Sequence, residues 1–188
     1  MIWFAIFLDL ILLFFVFMIC GIILKLVFVK GYKNYPPFVP TFSKARQIEI
    51  SKISSILKNS PNQKLIVDAG CGTASILKKL AKDFPQHRFI GIEWNKTLSK
   101  VAKFKNRKLK NVEILCQDLF DYNFENVDIV ICFLLEPIML KFETKLLKEN
   151  NRGKDVFSFV FKFPNIKASE EFTTSKFMPF AKLYIYKL

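Results

Sequence analysis

Asp68, Glu93 and Asp118 stand at equal intervals of 25 residues, and each lies at the end of a short apolar run. A carboxylate at the carboxyl end of a buried parallel strand is a hydrogen-bond acceptor held at the lip of a crevice, where such sheets bind ligands. The first acid opens Asp68-Ala69-Gly70-Cys71-Gly72-Thr73. Gly70 and Gly72 let the backbone turn sharply and approach a ligand closely, just before the next helix presents its N-terminus. Turns of this kind also cradle dinucleotides. Two features count against a pyrophosphate: the third glycine of that fingerprint falls on Ser75, and Asp68 sets a negative charge beside the turn. Such a charge repels phosphate and attracts an ammonium group. Glu93 is placed to accept from both hydroxyls of a ribose. Trp94 beside it can lie against an adenine or simply pack. Asp118 can accept from an adenine amino group while the backbone of its neighbours, Leu119 among them, reads the ring edge. Cys71 lies within the turn but has no histidine partner in the pattern, so its contribution is read as backbone. Alone, each acid reads as an ordinary loop residue; three at successive strand ends read as a set.

The elements that must hold this set follow from the punctuation of the chain. Strands are predicted at Lys64–Ala69, Arg88–Glu93, Val112–Cys116, Val127–Cys132, Val156–Phe161 and Leu183–Tyr186. Helices are predicted at Ala74–Asp83, Lys96–Arg107 and Pro137–Lys148. Ahead of them Phe42–Lys58, with Ala45, Ile48, Ile53 and Ile56 near helical spacing, reads as an amphipathic lead-in helix. Strands alternating with helices mean an α/β fold with a parallel sheet covered on both faces.

The N-terminus is different in kind. The first 29 residues carry two charges, Asp9 and Lys25, and Leu10–Leu24 between them is uncharged. A helix from about Ile2 to Val29 could cross a hydrocarbon core of ~30 Å, so residues 1–29 are predicted to be a single transmembrane anchor. A cleaved signal would show a basic start and a small-residue cleavage site. Nothing basic precedes this run, and Ile19-Cys20-Gly21-Ile22 is a poor cleavage site. Lys25, Lys30, Lys33, Lys44 and Arg46 all lie on the C-terminal side, which predicts a cytoplasmic domain. Lys30–Pro40, with three prolines and a glycine, reads as a linker. The predicted organisation is then anchor 1–29, linker and lead-in helix 30–60, and an α/β domain 61–188.

Because Asp9 and Lys25 cancel, the net charge of +13 belongs to residues 30–188. A basic domain beside a cytoplasmic leaflet is attracted to anionic lipid, which makes the bilayer a predicted partner. Nucleic acid is the other reading of such a charge, but the lysines are scattered and no arginine-rich patch or RNA-binding module is present. Cys20, Cys71, Cys116 and Cys132 form no CxxC pair, so neither a zinc site nor a disulfide framework is signalled. His87, the only histidine, precedes the second strand and reads as a surface residue away from the site.

Asp68–Thr73, Glu93 and Asp118 resemble the motifs of class I S-adenosylmethionine-dependent methyltransferases, over roughly residues 64–161. The resemblance implies a Rossmann-like fold with S-adenosyl-L-methionine as cofactor. It implies that the turn around Asp68, Gly70 and Gly72 holds the methionine moiety, Glu93 the ribose and Asp118 the adenine. Nearly the whole chain is similar to the small membrane-targeted lysine methyltransferases that modify the ATP synthase c subunit and the adenine nucleotide translocase, and to their bacterial relatives. The marks are Pro37-Phe38-Val39-Pro40 after an apolar segment, Phe161-Lys162-Phe163-Pro164 after a strand, and the ending Leu183-Tyr184-Ile185-Tyr186. That family brings the segment before the domain over the cofactor. Leu134-Leu135-Glu136-Pro137 departs from its pattern, and the C-terminal part reads as too short for a sixth strand and its helix, so a sheet shortened at the C-terminus is expected.

A lysine methyltransferase must deprotonate its target amine. From a reference pKa of ~10.4 this costs about 4.6 kcal/mol at pH 7, and burial beside a sulfonium lowers it. Glu136, at the end of the fourth strand, is the candidate catalytic residue to hold that amine. Equally, it reads as a helix N-terminal acid followed by Pro137, a purely structural pairing. Three function classes follow: lysine methylation of a membrane protein, methylation of a small or lipidic molecule, and a noncatalytic tethered protein that binds the cofactor.

Overall fold

The structure, a computed structural model, describes Asp9 and residues 11–19, 43–149, 153–174 and 181–188. Two compact units divide the chain, Met1–Val39 and Pro40–Leu188. In the first, Asp9 and α1 (residues 11–19) are helical. The predicted anchor otherwise lies outside the described residues, as do the predicted linker and its Pro37–Pro40 mark. Among the described residues no helix is long and apolar enough to cross a membrane. Every side chain of α1, from Ile11 to Ile19, is apolar and exposed, by 38% to 71%.

The second unit is a three-layer α/β domain. Its elements in chain order are α2 (Ser43–Lys58), β1 (Leu65–Ala69), α3 (Ser75–Asp83), β2 (Arg88–Ile92), α4 (Lys96–Asn106), β3 (Val112–Leu115) and β4 (Ile129–Cys132). They are followed by α5 (Glu136–Lys148), β5 (Asp155–Phe159), β6 (Glu170–Thr173) and β7 (Lys182–Lys187). The seven strands lie in the order β3-β2-β1-β4-β5-β7-β6. The first five run parallel, and β7 runs antiparallel to both β5 and β6.

Strands covered on both faces read as near-continuous apolar runs, and alternate residues feed two separate cores. Ile66, Phe89, Ile114, Ile131 and Phe157 point into one core with Ile53 and Leu57 of α2 and Leu77 and Leu80 of α3. Val67, Ile90, Val130 and Val156 point the other way, onto Met139, Phe142 and Leu146 of α5.

Two expectations are corrected. The sheet is not shortened: β6 is present and pairs with β7 from Glu170↔Ile185 to Thr173↔Lys182. It is an edge strand of sequence Glu-Glu-Phe-Thr with no buried residue, and charged edge strands carry none of the apolar alternation that marks a strand in sequence. Instead of a helix, the chain between β5 and β6 is an irregular segment pinned at two points. The Phe163 N–H donates to the Tyr186 hydroxyl, and buried Glu143 accepts both the backbone N–H and the side-chain amide of Asn165. His87 is not on the surface but 1% exposed. Its Nδ1 accepts from the Lys64 N–H and its Nε2 lies 3.2 Å from the Leu57 carbonyl. It ties α2 to the amino edge of the sheet, far from the glycine turn.

Candidate active site

Register places the three acids on one edge. Ala69 pairs with Ile92 and Cys132, and Ile92 pairs with Leu115. The carboxyl ends of β3, β2, β1 and β4 are therefore level, with Asp68, Glu93 and Asp118 at or just beyond them.

The glycine turn has the backbone its sequence demands. Gly70 has φ +89° and Gly72 φ +55°, with Ala74 also left-handed at φ +54°, and glycine enters that region without the steric cost of a side chain. A Cβ on Gly70 would also sit 3.3 Å from Leu134, so the loop after β4 closes directly over the turn. The N–H groups of Gly70 and Cys71 both donate to the Ile92 carbonyl at 2.9 Å, which fastens the turn to β2.

Glu93 is 5% exposed, and both of its carboxylate oxygens are already engaged. Oε2 accepts from the Gly72 N–H and Oε1 from the Asn95 N–H, each at 2.9 Å. Each oxygen keeps a further lone pair, so the carboxylate is fixed in direction and still able to receive a diol. Asn95 then caps α4, its side chain accepting from Thr97 and Leu98. Trp94 presents an indole that is 38% exposed.

Asp118 is exposed, and Oδ1 accepts from the Phe120 N–H at the start of the short 3-10 turn Leu119–Asp121. Leu119 packs at the margin of the α5-side core. Asp68 is 6% exposed. Burial, with Glu93 adding repulsion, pushes its carboxyl from an ordinary 3.8 up to about 7. The Cys71 thiol is pushed upward by burial and by Asp68 and Glu93. That direction favours the neutral thiol over the thiolate a nucleophile needs. Gly91 has a reason to be glycine: a Cβ there would lie 2.7 Å from the Cys71 sulfur and 2.8 Å from Ile114.

Over β4 and β5 the edge turns aromatic. Phe133 meets Phe159 edge-on at 5.1 Å and stacks on Phe161 at 6.3 Å. Between the last two Val160 sits at φ +68°, a strained conformation for a β-branched residue. Glu136 begins α5, exposed, with Pro137 behind it.

One buried acid that sequence reasoning passed over lies on the lead-in helix and is close enough to Asp68 for the two carboxyls to repel. Glu49 is 1% exposed on the core-facing stripe of α2, between Ala45 and Ile53. Its signal was positional: Ala45, Ile53 and Leu57 leave an empty rung of an i, i+4 ladder, and Glu49 fills it.

A parallel sheet of this strand order, with a glycine turn after β1, acids at or just beyond the carboxyl ends of β1, β2 and β3, and an antiparallel β7, defines a class I methyltransferase. The chain belongs to the family described as the ANTKMT methyltransferase domain, whose model matches residues 68–170. A protein-lysine N-methyltransferase of Saccharolobus islandicus is 29% identical over 136 residues, covering 70% of this chain and 80% of that one. Among solved structures, an RNA methyltransferase from Salinibacter ruber in complex with S-adenosyl-L-homocysteine has a TM-score of 0.67 at 20% identity, covering 79% of this chain and 92% of that one. A methyltransferase from Geobacter sulfurreducens, also with S-adenosyl-L-homocysteine, has a TM-score of 0.52 at 14% identity, covering 71% and 54%. The protein is an S-adenosylmethionine-dependent methyltransferase. The crevice fits that cofactor: a turn open to close backbone approach, an oriented acceptor in Glu93 and an exposed indole beside it.

Proposed function

We propose that the protein methylates lysine side chains of a membrane protein from a position at the bilayer surface. The observation that carries the lysine reading is the 136-residue similarity to a protein-lysine N-methyltransferase, which extends over 70% of this chain.

S-adenosylmethionine, when bound, supplies a methyl group made electrophilic by the sulfonium. In this reading Asp68 and the backbone of Gly70, Cys71 and Gly72 hold its amino-acid end. Glu93 receives the ribose hydroxyls, while Trp94, Asp118 and Leu119 bound the adenine. The acceptor amine enters over Phe133 and Phe161, whose rings exclude water and so favour its neutral form. Alignment contributes more here than a strong base would. Glu136 meets the incoming ammonium at the rim of β4, where its exposed carboxylate suits capture.

Membrane attachment is supported by α1 and its surroundings. A helix apolar on every side is suited to lipid rather than water, and the whole run Leu10–Leu24 carries no charge. The basic residues that follow favour a cytoplasmic domain. The test is transfer of radiolabelled methyl from S-adenosylmethionine to membranes of cells lacking this protein. Label in protein, at methyl-lysine, supports the reading; label in lipid extracts alone refutes it.

A further inference from the structure

We propose that Glu49 and Asp68 together form a seat for an alkylammonium group, bringing the lead-in helix α2 directly into ligand recognition. The shared chemistry has two sources, the α-ammonium of the cofactor's methionine moiety and the side-chain ammonium of the lysine acceptor. The second rests on the lysine reading above; the first does not.

Matched steps along two elements place the pair. Ile53 and Leu57 of α2 pack in the same core as Ile66 of β1. From Ile66, Asp68 is two strand residues nearer the carboxyl edge on the same face, a step of roughly 6.6 Å at ~3.3 Å per residue. From Ile53, Glu49 is four helical residues nearer the N-terminus, a step of roughly 6 Å at ~1.5 Å per residue. The two elements run in opposite senses. Ala45 packs with Phe159 and Ala181 at the carboxyl edge, and the Leu57 carbonyl meets His87 at the amino edge. The steps therefore go the same way, and Glu49 arrives beside Asp68.

Both carboxylate oxygens of Glu49 are buried without a hydrogen-bond partner. An acid on an otherwise apolar stripe that does nothing for packing is costly, and a cation between two such acids removes the cost. The groups around it are Asp68, Arg46 and the thiol of Cys132 at the end of β4, while Glu93 faces Asp68. Burial, with Asp68 adding to it and Arg46 opposing, pushes Glu49 from 4.5 up to about 8. The seat is thus largely protonated near neutrality and gives up protons when a cation enters.

The test uses the full chain in detergent micelles and calorimetric titration. The probes are S-adenosylhomocysteine, 5′-methylthioadenosine, which lacks the amino-acid moiety, and n-butylammonium added to cofactor-saturated protein. If the seat takes the cofactor's ammonium, Glu49→Gln weakens S-adenosylhomocysteine at least tenfold and leaves 5′-methylthioadenosine within about twofold. If it takes the acceptor's, S-adenosylhomocysteine is unchanged and the saturable binding of n-butylammonium is lost. In either case, proton release on binding at pH 7, read from the buffer dependence of the heat, falls in the variant. Unchanged affinity for all three probes overturns the proposal. Glu49→Leu separates this from a packing role. It completes the apolar stripe, so its Tm should equal or exceed that of the wild type while ammonium-dependent binding is lost. A lowered Tm with binding intact overturns the seat.

Discussion

The backbone N–H of Gly72 donates to Oε2 of Glu93 at 2.9 Å, tying the turn that follows β1 to the acid that follows β2. Two motif residues 21 positions apart are thereby one mechanical unit, since Oε1 of the same carboxylate holds the Asn95 N–H that leads into α4.

Glu93→Ala should consequently do two things at once. It removes the acceptor proposed for the ribose and releases the Gly72 and Asn95 N–H groups. Losing hydrogen bonds to a charged partner costs about 1.5–3 kcal/mol, so S-adenosylhomocysteine affinity should fall more than tenfold by calorimetry. Glu93→Gln keeps one acceptor oxygen and should fall between the two. An unchanged dissociation constant in the alanine variant would remove Glu93 from the cofactor site.

Gly91→Ala is expected to destabilise the domain by about 1–3 kcal/mol through overpacking. Its Cβ would meet the Cys71 sulfur at 2.7 Å and Ile114 at 2.8 Å, too close for both to stay, so side chains of the turn and the core must shift. Removing the sulfur by Cys71→Ala should recover part of the loss, a non-additivity that chemical denaturation of the double variant would detect. Full additivity would mean that the turn does not press on Gly91.

How much of this was legible depended on how each element is stabilised. The five parallel strands and four helices of the domain were readable because strands such as Leu65–Ala69 are buried on both faces and helices such as Ser75–Asp83 carry one apolar stripe. The three acids were readable because the topology returns the chain to the same edge every 25 residues. Glu170–Thr173 was not, since an exposed edge strand is held by backbone pairing with β7 rather than by side-chain pattern. Glu49 and His87 were missed for the opposite reason. A polar residue's burial is set by what packs over it: the i, i+4 ladder puts Glu49 on the apolar stripe, but nothing in the sequence says that this rung is covered.

Ligand-free protein should lose stability as pH rises from about 5 toward 8. The carboxyls of Glu49 and Asp68 are raised from 4.5 and 3.8 to about 8 and about 7 in the folded chain. Folded protein then binds more protons than unfolded protein in that window, and stability falls with pH wherever this holds. The contribution is complete below the unfolded values and lost as pH passes the folded ones. Thermal melts across this range should slope downward, less steeply for Glu49→Gln. A flat profile in the wild type would mean that the pair is not buried in the absence of ligand.

Attachment to the membrane is expected to survive a carbonate wash, because an all-round apolar helix partitions into the bilayer rather than adhering to its surface. Phe14→Asp combined with Phe17→Asp should release the chain, as each acid at the centre of a span costs about 2.5–3.5 kcal/mol on insertion scales. Wild-type protein found soluble with its first 29 residues removed would establish a cleaved signal instead.

The methylated residue should be a lysine lying close to the cytoplasmic face of a membrane protein. Thirteen residues separate Val29, where the apolar segment ends, from Ser43, where α2 begins. Even fully extended, a chain of that length reaches roughly 45 Å at ~3.3–3.6 Å per residue. Three prolines among them favour a stiff path. If the N-terminal segment anchors the chain as proposed, a tether of that length confines the domain to a shallow layer where the loops of membrane proteins are concentrated, and a soluble acceptor would gain nothing from it. The charge of +13 opposes long-range approach of a cationic target, but confinement to the same membrane raises the effective concentration of the partner. Quantitative mass spectrometry of membrane proteins from deletion and complemented strains provides the measurement. A methyl-lysine should disappear in the deletion strain and return with the wild type, but not with Asp68→Ala. If every methyl-lysine persists while a methylated lipid or other small molecule is lost, the acceptor is that molecule and the lysine reading is wrong.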